Sequence, residues 1–98
     1  MNDSTVREHA EAHGRALASG DLAGAASDLS EGARAKAPGV MGLLPRPVTA
    51  AEVTSVETAA DAFVVRTRYT GDDAAATVEA TWAEIDGRPR IVDLEVVE

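Results

Sequence analysis

The sequence predicts an α+β domain in which two or three N-terminal helices pack on a curved, four-stranded antiparallel meander. Three observations carry this fold class. Residues 62–70, 74–85 and 90–98 each alternate apolar and polar side chains, and they are joined by Gly71-Asp72-Asp73 and Asp86-Gly87, which are turn sequences. The N-terminal half is alanine-rich, with its larger apolar residues at helical spacing. The chain has 98 residues, 45% of them hydrophobic, which suits one domain over 1–98 that buries about 60–70% of the surface of its unfolded chain.

The first helix is expected to start at Thr5, because Thr5 and Glu8 form a capping-box pair. Val6, Ala10, His13 and Leu17 then form its buried stripe, and Gly20 stops it. Asp21 caps a short second helix running to about Leu29, with Leu22, Ala25, Ala26 and Leu29 facing inward. Between Ser30 and Pro47 six glycines and prolines interrupt helical sequence. Pro38 suits the first turn of a short helix and Pro45 must end it, so one or two helical pieces bring Val40, Met41, Leu43 and Leu44 onto the sheet. A strand is expected near 48–58.

Side chains alternate faces along a strand, so register is testable by parity. A loop over 71–74 pairs Tyr69 with Ala76, Thr67 with Val78, Val65 with Ala80 and Phe63 with Trp82. In the last strand Val92, Leu94 and Val96 are the apolar set. Matching them to the inward face of the third strand calls for a three-residue loop with Gly87 left-handed and a bulge, which sets Arg88 against Glu84 and Trp82 against Arg90. The reverse face places Arg66 beside Glu79 and Glu79 beside Asp93.

Composition narrows the function classes. A net charge of −8, with nine basic residues scattered along the chain, opposes binding to nucleic acid. The chain has no cysteine, hence no thiolate nucleophile, disulfide or Cys-type zinc site. No segment approaches the roughly 20 apolar residues needed to span a bilayer, and residues 1–9 hold no apolar signal core; a cytoplasmic protein with no membrane partner is the expectation. A core built from alanine and valine yields modest transfer free energy per residue, so a homodimer is expected, with Arg66, Arg68 and the last strand facing the symmetry mate.

Two helices, an irregular connector and a meander ending in Gly87-Arg88-Pro89-Arg90-Ile91-Val92-Asp93-Leu94, with Ala18-Ser19-Gly20-Asp21-Leu22 breaking the first helix from the second, resemble the nuclear transport factor 2-like superfamily, which includes SnoaL-like cyclases and ketosteroid isomerases. The resemblance implies a cystatin-like cone, a pocket between helices and concave sheet, and dimerisation through the sheet. It does not imply a reaction, because fold does not fix function. The chain is short for the group, and its Pro/Gly-rich connector stands where a longer middle section usually deepens the pocket.

His13, Thr67, Tyr69, Trp82 and Arg90 are the candidate pocket residues, being polar or aromatic groups on or near the inward face. His9 and His13 stand four apart on one helix, as two metal ligands would, but Ala10 occupies the place of the metalloprotease glutamate and there is no third histidine; no metal and no cofactor are expected. The aspartates fall at caps, turns and the outer face, which weighs against an isomerase with a carboxylate base. The preferred reading is a small non-catalytic domain for protein association or for binding a small apolar ligand. The alternative is a SnoaL-like isomerase, cyclase or dehydratase acting on a small carbonyl compound, with His13 as base and Tyr69 or Arg90 polarising the carbonyl.

Overall fold

The computed structural model describes residues 1–97; Glu98, where the last strand was expected to end, lies outside them. Three helices, α1 (Asp3–Ala18), α2 (Leu22–Ala26) and α3 (Glu31–Met41), precede four strands, β1 (Ala50–Ala59), β2 (Ala62–Thr70), β3 (Ala75–Ile85) and β4 (Arg88–Val96). The strands form one open antiparallel sheet in the order β1-β2-β3-β4, the meander that the alternation predicts.

Helix α1 starts earlier than the Thr5–Glu8 pair suggests. Asn2 is its cap, with the side-chain carbonyl accepting the Thr5 N–H at 2.9 Å. Val6, Ala10 and Gly14 are buried along it, and His13 and Leu17 flank them half-buried. Gly14 is there for closeness: a Cβ at this position would stand 2.8 Å from the Cβ of Ala51, so the helix backbone lies almost on β1. The helix ends in a Schellman motif around left-handed Gly20, whose N–H reaches Leu17 O while that of Asp21 reaches Ala16 O.

Asp21 caps α2 by accepting from Gly24 N–H. Of its expected inward set Ala25 and Leu29 are buried, whereas Leu22 is 57% exposed and Ala26 is exposed. The chain after α2 then docks against the edge of the sheet. Ile91 N–H donates to Asp28 O and Ser30 N–H to Ile91 O, a short parallel bridge that occupies part of the free edge of β4.

Ser30 caps α3. This helix is continuous through Pro38, in contrast to the expectation that proline would open a new piece. A proline here withdraws one backbone donor and costs about 3 kcal/mol; burial of Ala33 and Val40 against the sheet, with Leu44 just beyond the helix, offsets that cost. Leu43 points away and is 67% exposed.

The β2–β3 register is the one that parity predicts: Tyr69↔Ala76, Thr67↔Val78, Val65↔Ala80 and Phe63↔Trp82. The β3–β4 hairpin differs. Asp86 and Gly87, both at positive φ, make a two-residue turn that sets Ile85 opposite Arg88 and Glu84 opposite Pro89. The bulge falls further along, between Thr81 and Trp82, with Val92 as the extra residue. Trp82 therefore pairs with Ile91 rather than Arg90, and Ile91 rather than Val92 enters the core. Glu79 faces Glu95, not Asp93. Trp82 and Leu94 are both buried in the one core cluster, so the expected common face holds across the bulge. A second bulge at Thr54 and Ser55 brings Val53 and Val56 of β1 onto that face.

Candidate functional site

Helices and sheet do not close completely over one another. Between α1, α2 and α3 and the concave face of the sheet lies a cleft of about 350 Å³, at the small end of the range for ligand sites. Its floor is buried and mostly apolar: Leu29, Val40, Leu44, Tyr69, Val78 and Leu94. Leu17 from α1 and Ala25 from α2 form one wall. The other wall is a single stripe of α3, Arg34, Ala37, Pro38 and Met41, spaced i, i+3, i+4, i+7. Exposed Leu22, Ala26, Arg34 and Pro38 surround the mouth.

Three polar side chains line this cleft. His13 projects from α1, and its Nδ1 lies 3.0 Å from Asp28 Oδ2. A carboxylate can only accept, so Nδ1 carries the hydrogen of that bond and Nε2 is the nitrogen left for a ligand. The other oxygen of Asp28 accepts from Arg88 Nη2 at 3.3 Å, which ties α1, the end of α2 and β4 together. Tyr69 is 3% exposed. Burial raises its phenol above the ordinary tyrosine value, and the neighbouring Thr67 hydroxyl offsets only part of that rise. The phenol is thus a donor across the physiological range. Arg34, at the mouth, has no ion-pair partner among the described residues. No acidic side chain lines the cleft among those residues.

Of the five candidates from sequence, His13 and Tyr69 meet in the cleft and three do not. Trp82 is 1% exposed and lies beneath the two histidines of α1, with ring centroids 6.3 Å from His9 and 6.1 Å from His13, the latter edge-on. Thr67 is buried and borders a separate hollow between α1 and β1, next to Gly14, Ala51 and Val53. Arg90 donates to the Ser27 carbonyl at 3.2 Å and pins α2 to β4. The i, i+4 histidine pair is thus an aromatic contact with Trp82. No group of three or more His, Asp or Glu able to hold a metal ion occurs among the described residues.

Two residues of the site were not anticipated. Asp28 belongs to the aspartates expected at caps, turns and the outer face, yet the bridge between 28–30 and Ile91 carries it to His13. Arg34 shares a stripe with Ala37 and Met41 because α3 runs through Pro38, where the sequence suggests that a new helix starts. No helix of the described residues is long and apolar enough to cross a membrane. No family model, curated protein or solved structure matches the chain.

Proposed function

We propose that this chain is a small-ligand-binding domain of nuclear transport factor 2-like type that holds a small apolar molecule in the cleft between its helices and its sheet. The observation that carries the reading is the cleft itself: an apolar floor and walls, with His13, Arg34 and Tyr69 as the polar groups that would orient a guest. Packed interiors leave few voids of this size, and this one reaches the surface beside exposed Leu22. The neutral dye N-phenyl-1-naphthylamine tests the reading. Its fluorescence is expected to rise on addition of the protein, and Ala37→Phe, which fills the α3 wall, is expected to abolish the rise while leaving the thermal midpoint within a few degrees. No rise with the native chain, or a rise that Ala37→Phe does not touch, contradicts the reading.

A second reading is favoured by one observation, the His13–Asp28 pair. An imidazole whose Nδ1–H is held by a carboxylate leaves its Nε2 lone pair free, and with the Tyr69 phenol as donor to a carbonyl oxygen the cleft would suit proton abstraction beside a carbonyl, the first step of an isomerase, cyclase or dehydratase. Uptake of solvent deuterium by cyclohexanone, followed by NMR, tests it. Faster exchange with the native chain than with His13→Gln supports catalysis; equal rates contradict it and leave ligand binding standing.

Pairing of two copies belongs to the same proposal. The outer face of the sheet carries Arg66, Arg68 and Glu79 around half-buried Val64 and Thr77. The buried core residues that the helices cover lie on the opposite face, and α3 reaches the outer face only at the β4 edge, through Lys36 and Asp93.

A further inference from the structure

We infer that the guest of this cleft is a small apolar monocarboxylic acid, with its carboxylate held by Arg34 at the mouth and its hydrocarbon part lying inward on the floor. The inference rests on the ligand-binding reading above and adds the chemical class. Its basis is the contrast between the cleft and the rest of the chain. Acids outnumber bases by 17 to 9 in the sequence, yet among the described residues none of the acids lines the cleft, while its ionisable groups are an arginine, a histidine and a tyrosine. The nearby Asp28 carboxylate does not line the cleft and is already held by His13 and Arg88, which leaves a cationic guest without a ready partner. A neutral guest would leave the Arg34 guanidinium unused.

The placement of the cation suits a charged end that stays partly hydrated. Arg34 is exposed at the rim, so pairing with it does not require burying a carboxylate without water, the step that makes deep ion pairs costly. Guanidinium binds carboxylate with two parallel N–H···O bonds, and Arg34 has no ion-pair partner among the described residues to give up first. The overall charge of −8 repels anions at long range. That repulsion is screened beyond about 10 Å at 0.1 M salt, and the local cation decides the outcome. Inward from Arg34, the surfaces offered are Ala37, Met41, Leu29, Val40 and Leu94, which suit an alkyl or aryl body. At about 350 Å³ the cleft lies at the small end of the range for ligand sites, which suits a small acid.

Calorimetry on the full chain with octanoate and octylamine below their micellar concentrations and 1-octanol below its solubility limit tests the inference. Octanoate is expected to bind roughly two- to fivefold tighter than 1-octanol at low salt, the ratio that one exposed ion pair supplies, and octylamine is expected to bind more weakly than either. Arg34→Gln should remove the octanoate advantage and leave 1-octanol unchanged, whereas Arg7→Gln, on the exposed face of α1, should leave both unchanged. Equal affinities for octanoate and 1-octanol, or an octanoate advantage that survives Arg34→Gln, overturn the acid class while the apolar cleft stands. Absence of binding by octanoate, 1-octanol and N-phenyl-1-naphthylamine alike overturns the binding reading together with this one.

Discussion

Two glycines with the same side chain have opposite roles here. At Gly14 an added methyl would meet the Cβ of Ala51 at 2.8 Å, and both atoms are fixed by main chain, so the helix must lift from β1. The helix-propensity gain of Gly to Ala is about 1 kcal/mol, but overpacking of this kind costs about 1–3 kcal/mol, so the clash is the larger effect. At Gly39 nothing lies within 4 Å and only the propensity gain remains. We expect Gly14→Ala to lower unfolding free energy by about 1 kcal/mol and Gly39→Ala to raise it by about 0.5–1 kcal/mol in denaturant titrations; a stabilised Gly14→Ala would show that α1 does not sit as close to β1 as described. Residues that act through packing of this kind were hard to find in the sequence, because a glycine inside an amphipathic stripe reads only as a weak helix former. His13 and Tyr69 were easier, since each breaks an apolar pattern at a known phase.

At the scale of elements, alternation located β2 and β3 and fixed their register, because a slip of one residue would turn every apolar side chain outward. The last hairpin was legible in kind but not in place. Both a loop bulge and an internal bulge satisfy the parity requirement, and the left-handed Asp86-Gly87 pair selects the two-residue turn, moving the bulge to Val92. α3 is not legible from proline propensity, which argues for a break at Pro38, because burial of Ala33 and Val40 outweighs it. Its position against β4 is marked by one ion pair. The Lys36 ammonium donates a hydrogen bond to Asp93, and that bond, with the attached charge, holds the Asp93 carboxyl below the ordinary carboxylate range. A depressed folded value means that the contribution to stability is complete above the ordinary carboxyl value and is lost as pH falls through the lower, folded one. Both side chains are largely exposed, so the effect on stability is small and salt-sensitive. An NMR titration is expected to find Asp93 below its ordinary value in the native chain and returned to it by Lys36→Ala; an unchanged Asp93 would mean that α3 does not reach β4 through this pair.

For the whole molecule, the layered arrangement of three helices before a four-stranded meander follows from the order of the periodic segments, and the structure has it. The cleft was not legible, because the 28–30 bridge to Ile91 that ties the chain between α2 and α3 to β4 follows from no local pattern. The helices cover one face of the sheet and the other carries paired charges such as Arg66 and Glu79 at 3.0 Å. If two copies associate through that outer face, sedimentation at micromolar concentration gives twice the chain mass of 10.1 kDa, and Arg68→Glu shifts the population toward monomer; a single-chain mass at every concentration rules the pairing out.

The central claim is that the space between helices and sheet receives a small apolar guest. A two-dimensional amide NMR titration with octanoate reads it directly. We expect the shifts to concentrate at His13, Leu17, Arg34, Ala37, Met41, Tyr69 and Leu94, which line the cleft from α1, α3 and the sheet. Shifts confined to the outer sheet face around Arg66 and Arg68, or none at saturating octanoate, would contradict it.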